Sequence, residues 1–422
     1  MVTPTRPVQV GPFNLGVNNR LPDTELAVPK VGTFLREAVN VNITTAGTVK
    51  RRQGSAVSVP GTDCHSFWSN GKFAYFVDGT SLYALTGSPS GLTKTLLRSG
   101  LTPGMRLSYT ELNGQVIYSD GLVLRRLVGN TEKPFGVPKL GASPDVSVGA
   151  SGALVAGSYQ VCFTYVGADL QQSGSTNPVR LDVAAGQGIA ITGLPAAFPP
   201  DVASLAVFMT SPNGDKLQLA QLLAAPQPTL AINTPPRLGA RCQTVQSDAI
   251  PPGNIVRQNN GRLLVAAESF LYYSDPFAPA LMQSLNNFIP FDTPITVVES
   301  VKSGTYVATT DKTYYFAGDI AQAEAQRLLP YGGIAGTGGT SPDELRCWWM
   351  SARGMVRSTE GGGVENLQEK NIAMSRANVG ASLYHEDDGV KKLVTSLFGK
   401  ESTGAVAYSF MDAEIIRKGV VV

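Results

Sequence analysis

Histidine is nearly missing from this chain of 422 residues, which has His65 and His385 and no other. Imidazole-based acid–base catalysis and histidine-ligated metal are therefore hard to assemble. Charge is sparse as well: 16% of residues, with a formal net charge of +2. No field strong enough to demand a polyanionic partner follows from that, and the basic stripe of a dedicated nucleic-acid binder is absent. Cysteine is limited to Cys64, Cys162, Cys242 and Cys347, which lie 98, 80 and 105 residues apart. This is neither a metal-ligand spacing nor a dense disulfide framework, so buried free thiols and a reducing cytosol are expected. No apolar run approaches the roughly 18 residues of a membrane helix. The opening Met1-Val-Thr-Pro-Thr-Arg6 lacks the apolar stretch of a secretory signal.

Glycine and proline, by contrast, are plentiful at 45 and 28 residues, and they are scattered rather than clustered. Scattered punctuators suit many short strands joined by tight turns, and 43% hydrophobic residues are ample for a core. One unit recurs: an apolar strand, a polar turn ending in glycine, a second apolar strand, another turn and an aromatic-rich strand. Its copies open with Cys64-His-Ser-Phe-Trp-Ser-Asn-Gly71, Leu107-Ser-Tyr-Thr-Glu-Leu-Asn-Gly114, Ile255-Val-Arg-Gln-Asn-Asn-Gly261 and Val297-Val-Glu-Ser-Val-Lys-Ser-Gly304. Weaker copies surround Gly354 and Gly389. Three of the four clear copies place Asn-Gly at the turn, at Asn70, Asn113 and Asn260. Asn-Gly between alternating apolar runs predicts a type I′ hairpin with both turn residues at positive φ.

Gly71 to Gly114 and Gly261 to Gly304 are each 43 residues. A period of about 40–50 residues with three or four strands is that of a propeller blade. Unrelated hairpins in a sandwich are the alternative, and the later intervals of 50 and 35 are looser. The expected fold is all-β, a β-propeller of about six blades. Strands near Val39-Asn-Val-Asn-Ile43 and Ala405-Val-Ala-Tyr-Ser-Phe410 would close the ring. Between Gly114 and Gly261 lie 147 residues, and one blade period leaves 104 of them over. About 100 residues is the size of an immunoglobulin or fibronectin-like β-sandwich. Gly157-Ser-Tyr-Gln-Val-Cys-Phe-Thr-Tyr-Val166 alternates as a half-buried strand, with further strands near residues 180–183, 189–192, 205–210 and 217–222. Proline-rich borders at 134–144 and 235–252 read as linkers. The expected layout is an N-terminal arm over 1–30, a first propeller part over 31–140, an inserted sandwich over 141–247, and the rest of the propeller over 248–422.

Motifs that carry chemistry give little. His385-Glu-Asp-Asp-Gly389 is acidic but lacks alternating oxygen ligands, and it reads as a hairpin turn. Gly332-Gly-Ile-Ala-Gly-Thr-Gly-Gly339 has no Lys-Ser/Thr after it and reads as a flexible loop between blades. Ser341-Pro-Asp-Glu344 has the composition to start one helical turn. Neither the Asp-box of sialidase-like blades nor a carboxylate recurring at one blade position is found, so no catalytic, cofactor or metal residue is assigned. Lys50-Arg51-Arg52 is the one compact basic run, either the exposed end of a hairpin or a contact for DNA phosphates in a channel. Trp348-Trp349, Tyr272-Tyr273 and Tyr314-Tyr315 are adjacent aromatic pairs. On a strand one member of each should pack between blades, leaving the other for a subunit contact.

A family resemblance rests on four stretches. Phe34-Leu-Arg-Glu-Ala-Val-Asn-Val-Asn-Ile-Thr-Thr-Ala-Gly-Thr-Val-Lys-Arg-Arg-Gln-Gly54 resembles the opening of bacteriophage tail-nozzle and related virion propellers. Gly157-Ser-Tyr-Gln-Val161 with Ser173-Gly-Ser-Thr-Asn-Pro178 resembles the fibronectin-like module interrupting such propellers. Leu271-Tyr-Tyr-Ser-Asp-Pro276 and Trp348-Trp-Met-Ser-Ala-Arg-Gly-Met-Val-Arg-Ser358 resemble blades that follow it. The resemblance spans residues from about 30 to 400, and it implies a non-enzymatic structural subunit of a phage tail. That subunit would be a nozzle, head-to-tail or tail-tip component made in the host cytoplasm. It would form a symmetric homo-oligomeric ring on the tail axis, meet other tail or connector proteins, and touch phage DNA non-specifically. A carbohydrate-binding receptor protein at the tail tip and a propeller glycosidase are the alternatives.

Overall fold

Short apolar runs punctuated by glycine, asparagine and aspartate turns fold this chain into antiparallel sheet. The computed structural model describes residues 11–44, 46–52, 54, 56–88, 91–374, 377–387 and 390–399. Among them the only helical pieces are two single 3-10 turns, Asp23–Glu25 and Glu360–Gly362, so the chain is all-β. It divides into two compact units. Gly79–Leu82 and Leu96–Pro290 make one; the chain up to Asp78, Tyr83–Thr95 and the chain from Phe291 onward make the other.

Five four-stranded antiparallel sheets follow one another, each with its strands in sequence order. Sheet I is Cys64–Ser69, Ala74–Asp78, Ser81–Ser88 and Gly91–Arg98; sheet II is Ser108–Leu112, Gln115–Ser119, Leu124–Val128 and Thr131–Pro134. Sheet III is Ile255–Asn259, Arg262–Ala267, Phe270–Tyr273 and Phe288–Pro290. Sheet IV is Ile295–Val301, Gly304–Thr309, Thr313–Ala317 and Ala325–Leu329. Sheet V is Gly339–Thr340, Cys347–Ser351, Gly354–Ser358 and Val364–Asn366. A hairpin of Val379–Asp387 with Val390–Phe398 comes after it. The strand expected at 405–410 lies outside the described residues, as does the turn glycine at 389.

Two of the three Asn-Gly turns have the expected geometry: Asn113 and Gly114 sit at φ 53° and 71°, Asn260 and Gly261 at 49° and 75°. At the third, Gly71 alone has positive φ. There Asn70 Oδ1 accepts the backbone N–H groups of Lys72 (3.0 Å) and Phe73 (2.7 Å), so the side chain builds a wider loop in place of the tight turn. Sheet V is offset by one strand from its reading in the sequence. Gly354 follows the turn between the second and third strands, because the first strand is the two-residue Gly339–Thr340. The connection from that strand to Cys347 holds Ser341-Pro-Asp-Glu344, which forms a turn rather than helix: Ser341 N and Arg346 O bond at 2.8 Å, and Glu344 takes φ 57°.

Within the unit from Leu96 to Pro290, sheets II and III share one core, including Leu112, Ile117, Val256, Leu263 and Val265. Their first strands are neighbours, since the backbone N–H of Val256 donates to Ser108 Oγ at 3.0 Å. The chain between these two sheets makes a pair of sheets of its own. Asp145–Gly149, Gly188–Thr192 and Thr229–Ile232 form a three-stranded sheet. Val179–Val183, Gly157–Gly167, Val202–Met209 and Gln218–Leu223 form a four-stranded one. Alternate residues of both close on one core, with Ile189, Ile191 and Ile232 from the first sheet and Tyr159, Val161, Phe163, Leu205 and Val207 from the second. Val137 and Leu140 join that core, so the stretch read as a linker before residue 141 is packed rather than free.

Gly157–Gly167 is buried on both faces, not half-buried as its alternation suggested. Cys162, Val166, Ala206 and Phe208 face away from the first core and pack under Leu217 and Cys242 in a second. The cover is the exit segment. It starts beside Gln218–Leu223, where Leu219 N bonds Ala240 O and Cys242 N bonds Leu217 O, both at 2.9 Å. It finishes beside Ser175, whose N–H reaches Thr244 O at 3.0 Å.

In the other unit, sheets IV and V pack through Val297, Val301, Tyr306, Tyr315, Trp349 and Val356. On its opposite face sheet V meets the last hairpin through Trp348, Met350, Met355, Leu393 and Leu397. The segment before the first sheets is latched to the chain after sheet V. Asn19 donates its backbone N–H to Asn371 O at 3.0 Å, and its Oδ1 accepts the N–H of Ala373 at 2.6 Å.

Candidate functional site

Lys50, Arg51 and Arg52 end the hairpin of Val41–Ile43 with Val49–Arg51, in register Val41–Arg51 and Asn42–Lys50. The turn is closed by Thr44 and Thr48, whose hydroxyls meet at 2.6 Å. The cations thus sit at the end of the hairpin away from its turn. Lys50 and Arg51 are exposed. Arg52 is half-buried, its Nε donating to Asn42 Oδ1 at 3.1 Å and its backbone N–H to Asn40 O at 3.0 Å. Successive strand residues point to opposite faces, which puts Lys50 apart from Arg51 instead of making one three-cation surface. None of the three pairs with a carboxylate among the described residues. What this arrangement can do is meet phosphate oxygens without reading bases.

The other polar clusters are occupied by structural duties. Asp78 Oδ1 accepts the N–H groups of Thr62 (3.0 Å) and Asp63 (3.2 Å), while Oδ2 takes Lys94 Nζ at 3.1 Å. The N–H of Asp63, the Lys94 ammonium and the N–H of Thr62 hold that carboxyl down to about 2. Glu132 accepts from Arg98 at 3.2 Å and from the hydroxyl of Tyr118. Tyr118 is fully buried, and burial pushes its phenol up. Arg126 reaches Asp169 at 2.7 Å, and Lys139 reaches Asp248 at 2.6 Å. Thr340 Oγ1, on the first strand of sheet V, donates at 2.8 Å to the buried Glu299 on the first strand of sheet IV. Groups of three or more His, Cys, Asp or Glu placed to hold a metal ion do not occur among the described residues.

His65 lies on the first strand of sheet I with Nδ1 2.8 Å from Ser66 Oγ, and His385 is exposed on the last hairpin. Cys64 is exposed, against expectation, because it opens an edge strand; Cys162, Cys242 and Cys347 are buried. The glycine-rich stretch 332–339 is a close-packed connection and not a flexible loop. A Cβ on Gly333 would lie 2.8 Å from the Val297 side chain, and one on Gly338 would lie 2.4 Å from Glu299 Oε1. Glycine is needed there because backbone passes directly over side chains. Both tryptophans of the pair are buried, as are Tyr273 and Tyr315, while Tyr272 and Tyr314 are half-buried. Trp348 is therefore not available for a subunit contact.

Sequence reading missed Phe277 and Leu285, which are 99% and 88% exposed. They lie within the last connection of sheet III, which is closed where Asp275 N bonds Leu281 O at 3.0 Å and Asn287 Nδ2 bonds Asp275 Oδ1 at 2.9 Å. Pro276 and Pro279 on either side of Phe277 were the available signal, since they mark a turn tip.

No family model matches this chain. No curated protein matches it either. Solved structures that it is similar to include "KlHsv2 with loop 6CD replaced by a Gly-Ser linker", 9% identical, covering 79% of this chain and 90% of that one with a TM-score of 0.30. "YCF48 bound to D1 peptide" is 11% identical, covering 83% and 96% with a TM-score of 0.33. BBS1N in complex with ARL6DN is 11% identical, covering 80% and 90% with a TM-score of 0.32. All three are β-propeller proteins. At such TM-scores the likeness does not reach the arrangement of the sheets.

Proposed function

We propose that this chain is a β-propeller of about six blades interrupted by an immunoglobulin or fibronectin-like sandwich, and that it is a structural subunit of a bacteriophage tail. The observation behind the architecture is the neighbouring first strands of sheets II and III. Ser108 and Val256 are hydrogen-bonded although the two-sheet module separates them in sequence. A module that starts after the last strand of sheet II and returns at the first strand of sheet III would be an insertion between two blades of one series. Glu299 and Thr340 join the first strands of sheets IV and V in the same manner. The last hairpin would open a sixth blade, which strands from the chain's two ends would complete.

The tail assignment rests on the family resemblance of the motifs in residues 34–54, 157–178, 271–276 and 348–358. A propeller has few free edges and tolerates an outside module, which suits a rigid part onto which neighbours dock. The chain would act without catalysis, as a ring of identical subunits on the tail axis at the nozzle, head-to-tail joint or tail tip. Lys50 and Arg51 would make non-specific phosphate contacts with passing DNA. Phe277, exposed at its tip, is the side-chain type that interfaces favour. The test is electron microscopy of the purified protein together with intact virions labelled by an antibody against it. Rings, with label on the tail axis, support the assignment. Dispersed monomers and unlabelled virions overturn it.

A further inference from the structure

Cys162 and Cys242 are 80 positions apart in sequence, yet both are buried in the small core on the outer face of the four-stranded sheet that contains Gly157–Gly167. The path of the chain accounts for this. Cys162 lies on Gly157–Gly167, opposite Phe208 on the next strand, which is in turn opposite Leu219. The exit segment comes in beside Leu217 and Leu219 and reaches Ser175 by way of Thr244. Crossing from one side of the sheet to the other, it must pass over the face that presents Cys162, Ala206 and Phe208. Cys242 is at the start of that crossing, with its Sγ 3.8 Å from Thr244 Oγ1. Both side chains lie in that one small core, together with Ala206, Phe208 and Leu217.

We propose that Cys162 and Cys242 form an intramolecular disulfide when the folded chain meets a low-molecular-weight disulfide oxidant, fastening the exit segment to the sheet. Cys242 is the entering nucleophile. The neighbouring Cys162 thiol, the backbone and hydroxyl of Thr244 and the charge of Arg241 favour its thiolate, whereas Cys162 is pushed up. The Cys242 thiolate attacks one sulfur of the oxidant, forming a mixed disulfide and expelling a thiolate that takes up the proton Cys242 released. Cys162 then loses its proton and attacks the Cys242 sulfur, and the second half of the oxidant leaves as a thiol. One small disulfide is reduced to two thiols while the two cysteines are oxidised by two electrons. Because Cys242 is 3% exposed, the first step requires the exit segment to lift.

The whole chain, purified under reducing conditions, is incubated with oxidised glutathione, alkylated after unfolding and digested without reduction. The expected result is a linked peptide pair containing Cys162 and Cys242, with Cys347 alkylated and Cys64, which is exposed, taking up glutathione at most. The melting temperature should rise by roughly 5–10 °C, as for closure of a long loop, and fall back on addition of dithiothreitol. Cys162→Ser and Cys242→Ser should abolish the rise and Cys64→Ser should keep it. If either serine variant fails to fold, the reversible shift of the wild type with its linked peptide still decides the matter. Recovery of Cys162 and Cys242 as separate alkylated peptides, or of Cys242 joined to glutathione beside a free Cys162, would overturn the proposal.

Discussion

Trp348 and Trp349 are neighbours in the chain and belong to different cores. The ring of Trp349 is 5.9 Å from Tyr306 on sheet IV, and that of Trp348 is 5.7 Å from Tyr384 on the last hairpin. One strand of sheet V thereby fills the space on both its sides, which strand alternation allows for any pair of adjacent residues. Each substitution to alanine should cost about 3–5 kcal/mol, measured by denaturant unfolding. Trp349→Ala should release Tyr306 and Tyr315, while Trp348→Ala should loosen the hairpin first. Faster amide exchange confined to 379–398 in the Trp348 variant would show that. Equal loosening of both regions in both variants would contradict it.

Asp78 sets a stability limit on the acid side. Its folded value of about 2 lies below the ordinary 3.8, so its contribution is complete above about pH 4 and disappears as pH falls through 2. Asp78→Asn should start with a lower melting temperature and lose less of it between about pH 4 and pH 2 than the wild type. Parallel melting curves across that window would rule out this role for the Thr62–Asp63 turn.

Thr164 is fully buried on the four-stranded sheet that contains Gly157–Gly167, and its hydroxyl has no hydrogen-bond partner. Valine has the same shape without the polar atom, so Thr164→Val should stabilise the protein by about 1 kcal/mol. A loss of stability would mean that water or a neighbour satisfies that hydroxyl in solution.

The basic hairpin gives a prediction in salt. Each phosphate contact contributes about 0.9 to the slope of log affinity against log salt for duplex DNA. Lys50→Gln with Arg51→Gln should lower the slope by about 1 in filter binding to duplex fragments of any sequence, because the two side chains leave opposite faces and a duplex meets one of them. Arg52→Gln should change it less, because Asn42 and Asn40 already hold that residue against the hairpin. An unchanged slope in the double variant would remove DNA as a partner of this hairpin.

The repeat was legible in the sequence because its turns are local: Asn113-Gly114 and Asn260-Gly261 need nothing beyond their own backbone angles. Asn70-Gly71 shows the limit, since the same dipeptide made a wider loop once the asparagine side chain captured two N–H groups. The first strand of sheet V escaped notice because two residues, Gly339 and Thr340, carry no alternation. Five of the module's seven strands could be read from their apolar runs, but Asp145–Gly149 and Thr229–Ile232, the outer strands of its three-stranded sheet, could not. Nor could the module's outer core, because it depends on a segment near residue 242 returning over residue 162. For the basic run, sequence fixed the residues but not the division between faces, which follows from the register of Val41 with Arg51.

The exit segment has a practical consequence for anyone cutting the chain. The last strand of the paired sheets stops at Ile232, an inviting place to end an isolated fragment. A fragment ended there would lose Cys242 and Thr244 and expose Phe208, Val166 and Ala206 to water, presenting a greasy face to other copies in solution. The smallest piece that should dissolve as a monomer therefore starts before Val137 and runs on through Ser247.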